Sequence, residues 1–245
     1  MTARILGATI VRILRQLRHD PRTIALMLVV PLLLMTLLYF MFDGSQPMVS
    51  GLLLIMLGIF PFVIMFLVTS IAMLRERQSG TLERLMTTPA GKLDLLFGYG
   101  ISFGIAAAVQ AVIAAGFCYL VLSLTTAGAP ILVMLIAVLN AALGVGIGLL
   151  CPAFARTEFQ AVQLLPVIVI PQLLLCGLFV PRGAMTGWLR AISDVLPLSY
   201  AVQGLQEVGA HATPTGLLWR DLGIVAGCVI LALALAAATL PRRTE

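Results

Sequence analysis

Between Asp94 and Arg156 no position holds Asp, Glu, Lys or Arg. A soluble domain carries about one charge in four residues, so a stretch this long without any has no means of wetting its surface. The rest of the chain has the same character. It is 61% hydrophobic and 10% charged, and its mean hydropathy is +1.10. These values exclude a cytosolic enzyme, a nucleic-acid-binding module and a disordered tail. They leave an all-α polytopic membrane protein, because only helices or closed barrels satisfy backbone hydrogen bonds inside lipid. The net charge of +5 then reads as loop charge that orients helices across a bilayer, not as a nucleic-acid footprint.

A transmembrane helix takes ~20 apolar residues, and the charge-free windows supply six spans: 24–42, 48–74, 95–124, 130–155, 159–180 and 221–240, the last uncharged from Leu222 onward. The run 95–155 gives two of them because Thr125-Thr126-Ala127-Gly128-Ala129-Pro130 is turn chemistry. Pro31, Pro61, Pro166 and Pro171 lie inside spans, where membrane helices tolerate proline. The first span is too long for a signal-peptide core and no A-x-A site follows it, so it is expected to be retained. The whole chain, 1–245, reads as one membrane domain. Cys118, Cys151, Cys176 and Cys228 have no redox or metal-ligand spacing and read as small apolar side chains.

Twelve basic residues fall on one side: Arg4, Arg12, Arg15, Arg18 and Arg22, then Arg75, Arg77, Arg84 and Lys92, then Arg156, Arg242 and Arg243. Only Arg182, Arg190 and Arg220 fall on the other. The bias predicts cytoplasmic termini in a cell (inner or plasma) membrane. Within segment 1–23, residues 4–18 repeat Ile10, Ile13, Leu14 and Leu17 at helical spacing, with Arg4, Arg12, Arg15 and His19 on the other face and Arg18 nearby. This predicts a helix lying at the interface with its arginines near anionic headgroups; a plain topology signal is the other reading.

No span core contains an ionisable side chain and both histidines lie outside the spans. Proton-coupled transport and proteolysis within the bilayer commonly need such groups, so no catalytic residue and no metal site is expected. The phosphate-binding pattern G-x-x-x-x-G-K-S/T is absent too; Gly91-Lys92 runs into Leu93. Uphill movement would therefore draw its energy from another polypeptide pushing on a cytoplasmic surface. Only the loop 75–94 is large enough. Gly80 permits a turn, Thr81 caps a short helix, Glu83 suits its first turn, and Leu82, Leu85 and Met86 make an apolar stripe. Thr88-Pro89 opens the next helix. A lever between two spans and a solvated topology loop both fit these residues.

The loop sequence Arg75-Glu76-Arg77-Gln78-Ser79-Gly80-Thr81-Leu82-Glu83-Arg84-Leu85-Met86-Thr87-Thr88-Pro89 resembles the E-x-x-x-G-T-x-E-x-L-x-x-T-P signature of type-2 ABC exporter permeases, the daunorubicin-resistance-like drug and lipid exporters. The matching positions are Glu76, Gly80, Thr81, Glu83, Leu85, Thr88 and Pro89. Leu175–Pro181, Trp188-Leu189 and Leu196–Tyr200 look like that family's exit from span five and its outer hairpin. The resemblance implies a permease dimer, of identical copies or paralogues, docked on two ATP-binding subunits that hold the ATP and Mg; this chain itself would bind no cofactor. It implies that the loop is a coupling helix, with Glu83 the main polar contact to the ATPase and Leu82, Leu85 and Met86 the apolar ones. The N-terminal helix would be a second contact. Membrane lipid is the other expected partner and nucleic acid is not one. The implied function is outward movement of a drug, antibiotic or lipid.

The segment 181–220 is broken by Pro197, Gly204, Gly209 and Pro214 and is too polar to cross. It reads as two short helices hinged at Pro197, with Trp188 and Tyr200 suited to the membrane–water interface. A re-entrant hairpin acting as an outer gate fits, as does an ordinary loop. Gln110, Asn140, Gln163 and Gln172 are the neutral polar residues of the spans and read first as interhelical hydrogen bonding. By resemblance span five borders the path, which makes Gln163, Pro166, Pro171 and Gln172 candidates for substrate contact. Gly144/Gly148 and Gly100/Gly104 have the spacing for close helix approach. Uncharged spans favour an amphipathic or apolar cargo, since a charged head would cross unpaired. A non-transporting sensor or assembly factor, and an independent channel or secondary transporter, are the competing functions.

Overall fold

Long apolar segments with few helix breakers become helices, and the computed structural model is helical with no strand among the described residues, which are 3–42, 46–79 and 92–239. The helices are α1 (Ala3–Arg18), α2 (Pro21–Met41), α3 (Gln46–Gln78), α4 (Lys92–Leu120), α5 (Pro130–Leu150), α6 (Glu158–Leu175), α7 (Gly187–Ser193), α8 (Pro197–Ala210) and α9 (Gly216–Thr239). Single 3-10 turns at Cys151–Ala153 and Arg182–Ala184 join them. Six helices, α2 to α6 and α9, are long and apolar enough to cross a membrane.

The centre of the bundle is the pair α3 and α5, whose apolar windows are the most buried of the six. They meet backbone to backbone because α5 carries Gly144 and Gly148 on one face. A Cβ at Gly144 would run into the carbonyl of Phe62 and one at Gly148 would lie 2.8 Å from the Phe66 carbonyl oxygen. Asn140 Nδ2, one turn earlier on that face, donates to the Gly58 carbonyl. The predicted glycine packing therefore falls inside one chain. The second glycine pair does not behave the same way: a Cβ on Gly100 would meet only ordinary contacts and one on Gly104 would meet nothing within 4 Å. Gly98 is the close-packed glycine of α4; there a Cβ would lie 2.6 Å from Thr9 of α1.

Some boundaries differ from the composition-based reading. α3 continues through Arg75 to Gln78, since nothing from Leu74 to Gln78 breaks a helix. α4 begins at Lys92 and stops at Leu120, ahead of a turn in which Ser123 has φ +51°. α6 stops at Leu175, short of Val180; Gly177, at φ +100°, takes the left-handed conformation that ends helices. The segment that follows does form short helices on either side of Pro197, α7 and α8.

Two ends of the bundle are distinct. At one, Ser50 Oγ bonds Thr125 Oγ1 at 3.1 Å, and the amides of Ala127 and Gly128 donate to the Gly209 and Val208 carbonyls. The hairpin α7–α8 packs there through Leu198, Val202 and Leu205. The other end gathers α1, the start of α2, the end of α3, the start of α4 and the α5–α6 junction. It carries Arg12, Arg75, Arg77 and Arg156 and is called the basic end below.

Candidate functional site

The last turn of α3 is the hub of the basic end. Glu76 is 6% exposed although it stands beside two arginines in sequence. Its neighbours come from other helices. Arg12 of α1 places Nη1 3.6 Å from Glu76 Oε1 and donates Nη2 to the Tyr99 hydroxyl at 2.6 Å. The same guanidinium lies 5.9 Å from the Tyr99 ring centroid. Tyr99 is on α4 and fully buried. Glu76 Oε2 is buried with no hydrogen-bond partner. The cluster thus ties α1, α3 and α4 through one charge pair, and leaves one acceptor unfilled.

One residue earlier, α3 is tied to α6. Arg75 Nε donates to Glu158 Oε1 at 3.0 Å and Nη2 to Oε2 at 3.3 Å. Arg77 donates to the Pro152 carbonyl and Gln78 to that of Arg156 at 3.0 Å. Glu158 sits in the first turn of α6, behind the Thr157 cap, where a carboxylate suits the helix dipole. The end of α3 is therefore bonded to three neighbouring elements immediately before residue 80.

Asp20 caps α2, with Pro21 in the first helical position. Thr23 donates its hydroxyl at 2.7 Å and its amide at 3.1 Å to the carboxylate. These bonds hold the Asp20 carboxyl below the usual carboxylate range. Between α1, α2, α3 and α4 lies a cavity of about 390 Å³. Leu26, Val30, Ile64, Val68 and Phe103 form its apolar walls, and Gln16, Asp20, Arg75 and Glu76 stand at its basic end.

The residues singled out from sequence are distributed unevenly. Of the coupling-loop set only Glu76 is described; Gly80, Thr81, Leu82, Glu83, Leu85, Met86, Thr88 and Pro89 lie outside the described residues. Arg4, Arg12, Arg15 and Arg18 are all on α1. Arg15 and Arg18 are exposed, whereas Arg12 turns inward to Glu76 and Tyr99 and does not share their outward face. Gln163 and Gln172 are not brought together. Gln163, Pro166 and Pro171 are on the open side of α6, while Gln172 is 4% exposed. Gln172 Oε1 accepts from the Leu198 amide at 3.4 Å and Nε2 donates to the Ile168 carbonyl at 3.1 Å. It serves the α6–α8 joint. Gln110 Nε2 likewise donates to the Met27 carbonyl at 3.0 Å, joining α4 to α2.

In the α7–α8 hairpin Trp188 is exposed, and Pro197 opens α8 at its first position. Tyr200 donates its hydroxyl to the Asp194 carbonyl at 2.7 Å. The organising residue is Arg182, which the sequence reading treated only as loop charge. It donates to Gln203 and to the Asp194 carboxylate, and its guanidinium lies 4.7 Å from the Tyr200 ring centroid. A second overlooked residue is Asp221, 1% exposed near the start of α9. It pairs with Arg220 at 2.8 Å, and its Oδ2 has no partner. Its position at the edge of a charge-free window was the available signal.

The profile of the family described as ABC-2 type transporter matches residues 5–208, most of the chain, running from α1 into α8 and stopping before α9. The chain is 26% identical over 156 residues to a probable multidrug ABC transporter permease, YbhR, of Escherichia coli (strain K12), covering 64% of this chain and 42% of that protein. It is 26% identical over 170 residues to YbhS of the same strain, also named a probable multidrug ABC transporter permease, covering 69% and 45%. The linearmycin resistance permease protein LnrN of Bacillus subtilis (strain 168) is 29% identical over 171 residues, covering 68% and 41%. The chain thus spans less than half the length of these relatives. Six apolar helices and a profile match over most of the sequence converge: the chain is a multi-pass membrane protein of the ABC-2 type transporter family.

Proposed function

We propose that this chain is the permease subunit of an ATP-driven ABC exporter. It moves an amphipathic or hydrophobic molecule, a drug, antibiotic or lipid, out across the cell membrane, with both termini in the cytoplasm. A separate ATP-binding subunit, present in two copies, holds ATP and Mg and grips the loop that follows α3. The observation that carries this reading is the triple attachment of the end of α3: to α1 through Arg12 and Glu76, to the α5–α6 junction through Arg77 and Gln78, and to α6 through Arg75 and Glu158. Residues 80–91 are continuous with that end. A push on them is transmitted to three elements at once, which a passive topology loop would not need. The printed names of the relatives, multidrug and linearmycin resistance permeases, support the cargo class.

The permease works as a pair, with a second copy or a paralogue. α2, α6 and α9 each bury only 17% of their apolar windows inside the chain, against 61% for α3, and their apolar faces suit a partner helix as well as lipid. The deciding experiment is co-purification and efflux. Glu83→Ala, or removal of residues 81–86, is expected to release the ATP-binding subunit and abolish ATP-dependent efflux while the permease still inserts. Unchanged efflux would favour a non-transporting sensor or assembly factor of the same architecture.

A further inference from the structure

The cavity between α1, α2, α3 and α4 opens toward lipid. α2 and α3 each present residues at helical spacing to it, Thr23, Leu26 and Val30 on one and Ile64, Val68 and Ile71 on the other. Leu26 lines it and yet is 63% exposed, and Val30 lines it at 37%. The same side chains belong to the cavity wall and to the outer face of a membrane helix. The cavity is therefore reached sideways, from the leaflet at the basic end.

What fills it must be apolar. The charged groups at its basic end are engaged within the chain: Asp20 by Thr23, Arg75 by Glu158, and Glu76 by Arg12, with Oε2 of Glu76 sealed away from the space. Water needs several polar partners to settle in a cavity, and the deeper walls, Leu26, Val30, Ile64, Val68 and Phe103, offer no polar side chain. Left bare, those walls forfeit their dispersion contacts. A helix of a second copy is about 10–12 Å across with its side chains, too wide to enter between α2 and α3, which are themselves in contact. One alkyl chain is narrow enough, and at about 390 Å³ the space lies within the size range of small-molecule sites. The head of that chain is chosen by charge. Arg22 stands one turn before Leu26 on the same face of α2, toward the basic end. It is exposed, and among the described residues its side chain has no hydrogen-bond or ion-pair partner. Arg15 and Arg18 of α1 are exposed as well. With Asp20, Glu76 and Glu158 all engaged, the surface beside the mouth presents uncompensated positive charge.

We propose that this cavity holds one acyl chain of an anionic phospholipid from the adjacent leaflet, its phosphate on Arg22 and its second chain left in the bilayer. The lipid is a resident filler of the α2–α3 seam and not cargo, so the inference stands whether or not the chain exports anything. It differs from a general attraction of basic residues to anionic headgroups in two ways. It places a chain inside the protein, and it assigns the choice of head to one arginine.

The test needs no ATP-binding subunit, so its outcome is separate from that of the coupling experiment. The full chain is placed in phosphatidylcholine nanodiscs with a trace of phosphatidylglycerol that carries a diazirine midway along one acyl chain. After illumination the labelled residues are mapped by mass spectrometry. Ile64, Val68 and Phe103 are expected to be labelled, besides lipid-facing residues such as Leu231 of α9, which is 58% exposed. Unlabelled phosphatidylglycerol should suppress the cavity labels about fivefold more effectively than phosphatidylcholine, the effect of one arginine on an anionic headgroup. Glycerol phosphate, which has the head without the chain, should not suppress them. Arg22→Gln should abolish the preference for the anionic head and leave the cavity labelled. Val68→Trp should lower labelling at Ile64 and Phe103 at least about tenfold and leave Leu231 unchanged. The parent chain alone carries the test if a variant fails to fold. Cavity residues labelled no more than the background, competition indifferent to the head, suppression by glycerol phosphate, a preference that survives Arg22→Gln, or labelling indifferent to Val68→Trp would each overturn the proposal.

Discussion

Helix α3 has two faces that solve opposite problems. The face toward α5 is closed as tightly as backbones allow: Phe62, Phe66 and Thr69 meet Gly144 and Gly148, and Asn140 reaches the Gly58 carbonyl. The face toward α2 is left open as a cavity. In lipid no hydrophobic effect drives apolar helices together, so close packing and interhelical hydrogen bonds must hold them. α3 and α5 have both. Toward the cavity α2 presents Thr23, Leu26, Met27 and Val30, and α4 reaches it through the bonds that Gln110 gives to the Met27 carbonyl and Cys118 to the Met35 sulfur. One seam is closed backbone to backbone and the other leaves a cavity.

The largest effect should separate these faces. Gly144→Ala puts a methyl group against the Phe62 carbonyl, and neither backbone has room to yield. A loss of about 3 kcal/mol is expected, seen as a large drop in thermal unfolding midpoint in detergent. Ala72→Leu, on the cavity side of the same helix, should stay within about 1 kcal/mol of the parent because it grows into space. Gly104→Ala should be neutral or slightly stabilising, since its Cβ meets nothing within 4 Å and alanine is the better helix former. Comparable losses at Gly144 and Ala72 would erase the distinction between the faces.

A smaller effect concerns the charge pair at the cavity head. Arg12→Ala leaves Glu76 buried without its guanidinium. Removing one member of a buried pair costs about 3–5 kcal/mol, and because the Arg12 side chain is 36% exposed a reduced loss of about 2 kcal/mol is expected. The informative comparison is the double variant. Arg12→Ala with Glu76→Gln removes both charges and should recover most of the midpoint lost by Arg12→Ala alone. A double variant no better than the single one would mean that Arg12 stabilises the fold through Tyr99 and not through the carboxylate.

How much of this was legible follows from the kind of signal each feature leaves. The spans were legible because lipid excludes charge, and a charge-free window is visible in one dimension. The glycine seam was legible as spacing, but not which pair would be used: Gly144 and Gly100 look alike until Phe62 is set opposite one and open space opposite the other. The end of α3 was misjudged because charges were taken as the end of helix, whereas Arg75 to Gln78 are helix formers ahead of Gly80. The end of α6 was misjudged in reverse, since Gly177 to Val180 remain apolar while Gly177 turns the chain. Arg12 was placed on the polar face of α1, which is correct for a lone helix. Its partners arrive from α3 and α4, far away in sequence, and only tertiary packing reveals them. Arg182 and Asp221 were missed for the same reason. A cavity leaves no one-dimensional trace, because it is the failure of two faces to meet.

The smallest effect belongs to Asp20, at the rim where α1 hands over to α2. Its carboxylate receives the Thr23 amide and hydroxyl, and its pKa lies below the ordinary value of 3.8. A group whose folded pKa is depressed contributes stability that is present above its unfolded pKa and is lost as pH falls through the folded one. Asp20 is largely solvated, so the cap is worth about 0.5–1 kcal/mol. Asp20→Ala should therefore lower the midpoint slightly at neutral pH, and the gap to the parent should close as the pH falls below the ordinary carboxyl value of 3.8 and through the folded one.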